Sequence, residues 1–536
     1  MGRSVRDATF DVFRRRGLTT IFANPGSTEV PFLAGFPDDL RFVLGLHETA
    51  VVGLATGVAI GSGEPALVLL HTTAGLGTGV SALATARVNR APLVVVVGQQ
   101  DRRHLAYEPF LAGRLAGLAG EYPVSVDQPA QAQDVPAAIE RAYHAAVTAR
   151  GPALVIVPMD DWDAPADEER EPAAAFGPLF RAVAAAPEAI DALVGFLADA
   201  QSPALVVGAG ADDPATWSAL VELAERLVAP VFQESFGGRA GFPQDHRLFR
   251  GVLPADRARL RERLEPYDAV LVVGAPAFRQ APYVPGRFTA PGARIAVVTD
   301  DPEEAHRSPA EITVLSSPAP VCQELARRVP VRDVPPPEPL APLPEPATPA
   351  RGERLRASHV LAALAERLPR DAVVVEEAPV DRPEIHSRLP AREPLGYLSA
   401  AMGGLGFAMP AAAGLRMALP RRPIVAVVGD GSAIYGVPAV WSAAHYEIGA
   451  LFVVLSNERY AVMDRLVERH GGTGPWPAFA EVELATIARG FGCPAQRITT
   501  HEELLAALDE VVPTLAERDE PLVLDVAIAP TEEFAP

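Results

Sequence analysis

Residues 424–460, IVAVVGDGSAIYGVPAVWSAAHYEIGALFVVLSNERY, decide the fold. IVAVV is a short, β-branched apolar run that fits a buried parallel strand, and GDG makes a tight turn at its carboxyl end. SAIYGVPAVWSAAHY has helical spacing, and LFVVLS is a second apolar strand ending at Asn457. This is a βαβ unit with Asp430 and Asn457 at the ends of its strands, where open α/β sheets take their ligands. A carboxylate, an amide oxygen and a loop carbonyl suit Mg²⁺, which completes its octahedron with oxygens of a diphosphate. Gly429 and Gly431 let backbone N–H groups approach that diphosphate. GDG alone is a common turn; GDG followed by Asn at this distance, between two apolar strands, is far more specific.

The N-terminal third indicates which diphosphate. FANPGSTEVPFL follows a short strand, and in FVLGLHETAVVGLATGVAIGSG Glu48 stands where an apolar strand gives way to a helix of small residues. Thiamine chemistry needs a carboxylate against the aminopyrimidine ring, to drive the imino tautomer that takes the proton from thiazolium C2. Such a carboxylate works best in apolar surroundings, and Leu46, Ala50, Val51 and Val52 flank Glu48. Taken by itself, Glu48 reads first as a helix-start carboxylate meeting the macrodipole.

These stretches, in order, resemble the thiamine diphosphate-dependent 2-oxo acid decarboxylases, and within them the benzoylformate decarboxylase branch. The resemblance runs nearly collinearly through NPGSTEVPFL, LHETAVVGLATG, LLHTTAGLGTG, VVGQQ, DDWD, GAPAFR, MGGLGFAMPAAAG and GDGSAIY with its downstream Asn. It implies a Mg²⁺-dependent, non-oxidative decarboxylation of an apolar 2-oxo acid to an aldehyde, through the ylid and an enamine, with Ca²⁺ able to stand in for Mg²⁺. It implies Glu48 as the ylid-forming carboxylate, Ser27 as the donor to the substrate carboxylate, and His71 as the proton-transferring base. Leu405 is implied as the apolar wedge that bends the cofactor, and Asp430, Asn457 and the Arg459 carbonyl as metal ligands. Ser432, Ala433 and Tyr460, with Gly429, Gly431, Pro379 and Val380, are the implied cofactor contacts. A neutral donor such as Ser27 orients a carboxylate without over-stabilising the ground state. His71, after the apolar strand PALVLL, belongs to the one residue type that titrates near neutrality unaided.

The matching pocket positions Phe110, Leu111, Val462, Met463 and Leu466 are apolar, as are Pro379 and Val380, which favours an aromatic or branched side chain over a dianion. One position departs. The family's second active-site histidine, shortly after GAPAFR, is here Ala281, and no histidine lies between His246 and His306. That motivates an alternative, a carboligase of acyloin or acetolactate type. Ser456 and Glu458 also replace the Asn and Gly usual around the metal loop. A non-catalytic cofactor-binding subunit and a flavin- or nicotinamide-dependent oxidoreductase are the readings from other classes.

Composition sets bounds. The chain has 536 residues, 49% of them hydrophobic, and a net charge of −20, which argues against nucleic acid as a partner. Two cysteines exclude a disulfide scaffold and suit a reducing, cytoplasmic setting. The charged MGRSVRDATFDVFRRRG is no signal peptide, and no apolar run is long enough to span a membrane. The chain divides into an α/β protein of three doubly wound parallel-sheet domains: a pyrimidine-binding domain over 1–165, a central domain over 183–330 and a diphosphate-binding domain over 353–528. Residues 166–182 and 331–352 are linkers, the second a proline-rich spacer. In the central domain VVGAGADD places Gly208 and Gly210 after a strand, but the third glycine is missing and the next residues are acidic, which argues against FAD. Because Glu48 and Asp430 lie at opposite ends of the chain, the resemblance implies a homodimer or homotetramer with sites at the subunit interface.

Overall fold

The computed structural model describes residues 2–531 apart from 168, 170–172, 178 and 180–182, so part of the expected 166–182 linker lies outside the described residues. It contains three six-stranded sheets, every paired strand parallel. The first has strands β1 (Thr20–Asn24), β2 (Arg41–Leu44), β3 (Ala66–Leu70), β4 (Leu93–Gln99), β5 (Ser125–Asp127) and β6 (Pro152–Pro158), in the order β2-β1-β3-β4-β6-β5. The second has β7 (Pro203–Val207), β8 (Val231–Gln233), β9 (Phe249–Val252), β10 (Ala269–Val273), β11 (Arg294–Thr299) and β12 (Ile312–Leu315), in the order β12-β11-β10-β7-β8-β9. The third has β13 (Val373–Glu377), β14 (Tyr397–Ser399), β15 (Ile424–Gly429), β16 (Leu451–Ser456), β17 (Ala495–Ile498) and β18 (Leu522–Ala527), in the order β14-β13-β15-β16-β18-β17. Counted from their own first strands, the first and third sheets share one order, a kinship that the sequence pattern suggests only coarsely. The expected α/β class with three parallel sheets is what the chain forms.

Strands buried on both faces explain the unbroken apolar runs: β3, β7 and β16 have no exposed residue. The expected helix after β15 is two, Asp430–Gly436 and Ala439–His445. Pro438, at the break, has no N–H to continue the ladder.

The first and third sheets are joined by two helices, Glu48–Ser62 and Ala408–Ala418, running side by side in the same direction. An added Cβ would fall 2.6 Å from Pro410 at Gly53, 2.2 Å from the Ala411 carbonyl at Gly57 and 2.8 Å from Ala418 at Gly61. From the other helix, a Cβ at Gly414 would fall 2.0 Å from the Leu54 carbonyl. Only hydrogen side chains permit backbones this close, so the two sheets hold a fixed relation through a small-residue seam. Side chains of the third unit also satisfy edge strand β2: Leu44 N–H donates to the Tyr446 hydroxyl (2.7 Å) and the Leu44 carbonyl accepts from Ser442 (3.0 Å).

The central sheet meets its neighbours through charge. Arg90, buried, pairs with Asp300 and stands 3.7 Å from Glu304, beside the loops after β7 and β10. Glu234 and Arg90 fill the space next to Gly208 and Gly210, where an added Cβ would meet them at 2.6 and 2.7 Å. Cys322 and Cys493 are free and buried. Among the described residues no helix is long and apolar enough to cross a membrane.

Candidate active site

The carboxyl edge of the third sheet gathers most of the expected cofactor residues. Asp430 is the first residue of its helix rather than the middle of a separate turn, so GDG is a strand-to-helix junction. Its carboxylate accepts the Gly431 N–H (2.7 Å) and, across the strand ends, the Glu458 N–H (2.5 Å). Asn457 accepts the Arg459 N–H through Oδ1 at 3.2 Å. One cleft is lined by Gly429, Asp430, Gly431, Ser432, Asn457, Arg459 and Tyr460, facing Pro379, Val380, Leu405 and Val462. Burial pushes the Asp430 carboxyl up to about 6. The residues therefore fit a diphosphate-bound divalent cation: a desolvated carboxylate with only backbone donors, an amide oxygen and a carbonyl, all hard donors. Gly431 is needed for space, since a Cβ there would stand 2.8 Å from the Tyr460 ring.

The two departures at the end of β16, Ser456 and Glu458, have local compensations. Glu458 has φ +65°, a conformation glycine adopts freely and other residues adopt at a cost of about 1–2 kcal/mol. Its carboxylate lies 3.3 Å from Arg354 and 3.6 Å from Arg497, so its charge is paired. Ser456 donates to Asp525, which also accepts the Ala485 N–H (3.0 Å).

Glu377, at the end of β13, fixes the turn that carries Leu405. It is buried and accepts the N–H groups of Gly406 (2.5 Å), Phe407 (2.9 Å) and Ala408 (2.6 Å). These donors open the helix Ala408–Ala418, and the turn they fix carries Leu405 into the cleft. Burial dominates and pushes the carboxyl up to about 8 while the N–H donors oppose. The sequence reading passed over Glu377, although two acids closing an apolar strand (VVVEEAP) are a signal that both carboxylates have internal partners. Glu376 has them: it accepts from the Ala378 N–H, Arg382 and the Tyr397 hydroxyl.

The first sheet presents its own carboxyl edge. Ser27 opens a 3₁₀ turn, Ser27–Glu29, after β1 and is exposed. Glu48 is the first residue of its helix and accepts from Asn24 Nδ2 at 3.0 Å. Asn24 was not singled out from sequence. The apolar enclosure expected around Glu48 is not complete within one chain: Ala50, Val51 and Val52 face the core, while Leu46 is exposed and Glu48 only half-buried. His71 follows β3, and its Nδ1 lies 2.9 Å from Glu29. Thr49 and Gly53 share a narrow crevice with Leu405.

Several expected positions stand apart from the cleft. Ala433 turns its side chain into the core, because it lies on the inner face of the helix Asp430–Gly436. Phe110 is 86% exposed on the first unit and Leu111 half-buried beside it. Met463 and Leu466, on the helix Ala461–Glu468, are 42% and 40% exposed, whereas Val462 of the same helix reaches the cleft. Ala281 is exposed on the loop after β10. None of Phe110, Leu111 and Ala281 lines the cleft within a single chain.

Comparison with known proteins accounts for this arrangement. Residues 3–119 match the thiamine pyrophosphate enzyme N-terminal TPP-binding domain, residues 190–325 the central domain, and residues 384–526 the C-terminal TPP-binding domain. The chain is 39% identical, over the full length of both proteins, to benzoylformate decarboxylase of Pseudomonas aeruginosa. The structure of a thiamine diphosphate-dependent 4-hydroxybenzoylformate decarboxylase from Rhodococcus jostii superposes with a TM-score of 0.93 at 35% identity, covering 99% of this chain and 100% of that one. Benzoylformate decarboxylase from Polynucleobacter necessarius gives 0.93 at 30% identity, with both chains covered completely. The chain thus belongs to the thiamine diphosphate-dependent 2-oxo acid decarboxylases, in the branch of benzoylformate decarboxylase.

Proposed function

We propose that this decarboxylase converts an aromatic or branched 2-oxo acid of the benzoylformate type to its aldehyde and CO₂, with thiamine diphosphate held through Mg²⁺. The observation that carries the reading is the cleft in which Asp430, Asn457, Arg459 and Leu405 converge with the apolar Pro379, Val380 and Val462. Thiamine diphosphate, when bound, supplies the carbanion that adds to the 2-oxo carbon and accepts the electrons released with CO₂. Asp430, Asn457 and the Arg459 carbonyl hold the metal, with Gly429, Gly431, Ser432 and Tyr460 around the diphosphate. Leu405, braced by Glu377, sets the shape of the cofactor. Glu48, oriented by Asn24, hydrogen-bonds the aminopyrimidine. Ser27 orients the substrate carboxylate and His71 exchanges a proton with the reacting atoms.

A second copy of the chain completes the site. Among the exposed apolar residues, Leu46, Tyr107, Phe110, Met402, Tyr435 and Met463 follow strands of the first and third sheets. A partner laid over them encloses Glu48 and brings Phe110 and Leu111 to the substrate.

The test is a panel of 2-oxo acids given to the purified protein with thiamine diphosphate and Mg²⁺. Benzoylformate should exceed pyruvate in kcat/KM by at least about 100-fold, in keeping with the apolar lining. Equal use of pyruvate would refute the substrate assignment. Ala281 motivates the carboligase outcome, and mass analysis with an acceptor aldehyde decides it: free aldehyde as the main product upholds the decarboxylase, a hydroxyketone as the main product replaces it.

A further inference from the structure

His71 is held by a set of contacts that the proton-transfer role alone does not require. Its Nδ1 lies 2.9 Å from Glu29 Oε2 and 3.0 Å from Thr28 Oγ1. Glu29 is almost wholly buried at 1% exposure, and its oxygens also accept the Gly26 N–H (2.7 Å, Oε2) and the Thr28 hydroxyl (2.5 Å, Oε1). Room for that carboxylate is built in: a Cβ on Gly98 would fall 1.8 Å from Glu29 Oε1. The ring lies against the backbone of Gly26, where a Cβ would fall 2.5 Å from it.

The proton inventory fixes the state of the ring. A carboxylate only accepts, and the single hydroxyl proton of Thr28 is given to Glu29, so its oxygen too can only accept from His71. Nδ1 is therefore the protonated nitrogen. Nε2 has no hydrogen-bond partner among the described residues, so it is the nitrogen open to exchange a proton.

We propose that Glu29, assisted by Thr28, is a positioning residue that fixes His71 as the Nδ1–H tautomer and offsets the positive charge formed when Nε2 takes up a proton. The inference rests on the proton-transfer role of His71 proposed above. It follows the general rule that a carboxylate on one imidazole nitrogen sets the chemistry of the other. Glu29 does not touch the substrate; it acts through His71.

The test is a double-mutant cycle in the cofactor-loaded enzyme, with kcat and KM for benzoylformate and thiamine diphosphate affinity as readouts. His71→Ala should lower kcat by about 10²–10³-fold, within the range for loss of a general acid–base group. Glu29→Leu should match it, and Glu29→Leu/His71→Ala should be no slower than His71→Ala alone, because both act at one step. Glu29→Gln, nearly isosteric and still able to accept from Nδ1, should lower kcat by about 10-fold or more, with KM and cofactor affinity held within about twofold. A wild-type kcat for Glu29→Gln alongside an impaired His71→Ala would overturn the inference and leave the His71 reading standing. Multiplicative losses in the double variant would also overturn it, making Glu29 a structural residue. An unimpaired His71→Ala would remove both.

Discussion

Substituting Gly414 with alanine puts the small-residue seam under direct strain. In an exposed helix interior Gly→Ala stabilises by about 0.5–1 kcal/mol, because alanine loses less backbone entropy. At Gly414 the new Cβ falls 2.0 Å from the Leu54 carbonyl oxygen, 2.9 Å from its carbon and 3.0 Å from the Gly57 Cα. All three are backbone atoms, so no side chain can swing aside. Ordinary contact begins at 3.4 Å, so the helices must part locally by about 1.4 Å. That opens a contact lined by Leu54, Ala55, Ala411 and Leu415, all buried. Overpacking of this kind costs about 1–3 kcal/mol, which outweighs the propensity gain, so we expect a net loss of about 1 kcal/mol. Gly195, on the helix Pro187–Ala198, has nothing within 4 Å of an added methyl and supplies the control. Urea and thermal unfolding of both variants decide the matter: Gly195→Ala should gain up to about 1 kcal/mol and Gly414→Ala should lose stability. Because the seam carries Glu48 and Leu405 at its start, Gly414→Ala should also lower kcat. A Gly414→Ala protein as stable and active as Gly195→Ala would refute the claim that the seam sets the geometry of the two edges.

Other expectations follow from single contacts. Asn24→Ala removes the donor to Glu48, and a charge-assisted hydrogen bond is worth about 1.5–3 kcal/mol, so kcat should fall at least about 10-fold in steady-state assays without loss of fold. Glu377→Ala orphans three buried N–H groups; titration should show thiamine diphosphate binding weakened by about 10-fold or more, with a lower Tm. Glu234 is pushed up to about 8 by burial, above its ordinary value of 4.5. The folded chain therefore holds a proton that the unfolded chain releases. This contribution to stability is full below about pH 4.5 and is lost as pH rises through about 8. In Glu234→Gln, the fall in Tm between pH 5 and 8 should be shallower than in the wild type.

Much of this was legible because the decisive residues sit at strand ends. Apolar runs mark β15 and β16, and the residues that follow them, Asp430 and Asn457, have no option but the carboxyl edge. The same logic places Glu48 and His71. What the sequence hid are contacts between residues distant in the chain. Glu29 looks like any acid in a turn until His71, 42 positions on, meets it. Asn24 and Glu48 are likewise linked only through the neighbouring strands β1 and β2. Glycines 53, 57, 61 and 414 read as poor helix residues, and their purpose emerges only when the two helices come together. Phe110 stands exposed on the surface of the single chain, away from the cleft, where its sequence context alone could not place it. Glu458 shows the converse: a residue wrong for its backbone conformation, tolerated because Arg354 and Arg497 receive its side chain.

The most direct test of the account is CO₂ release from benzoylformate by the wild type and by Glu48→Gln, each with saturating thiamine diphosphate and Mg²⁺. The wild type should turn over at about 1–10³ s⁻¹, and Glu48→Gln should bind the cofactor yet run at least about 100-fold slower. A wild type that releases no CO₂ although its cofactor is bound, or a Glu48→Gln variant as fast as the wild type, would contradict it.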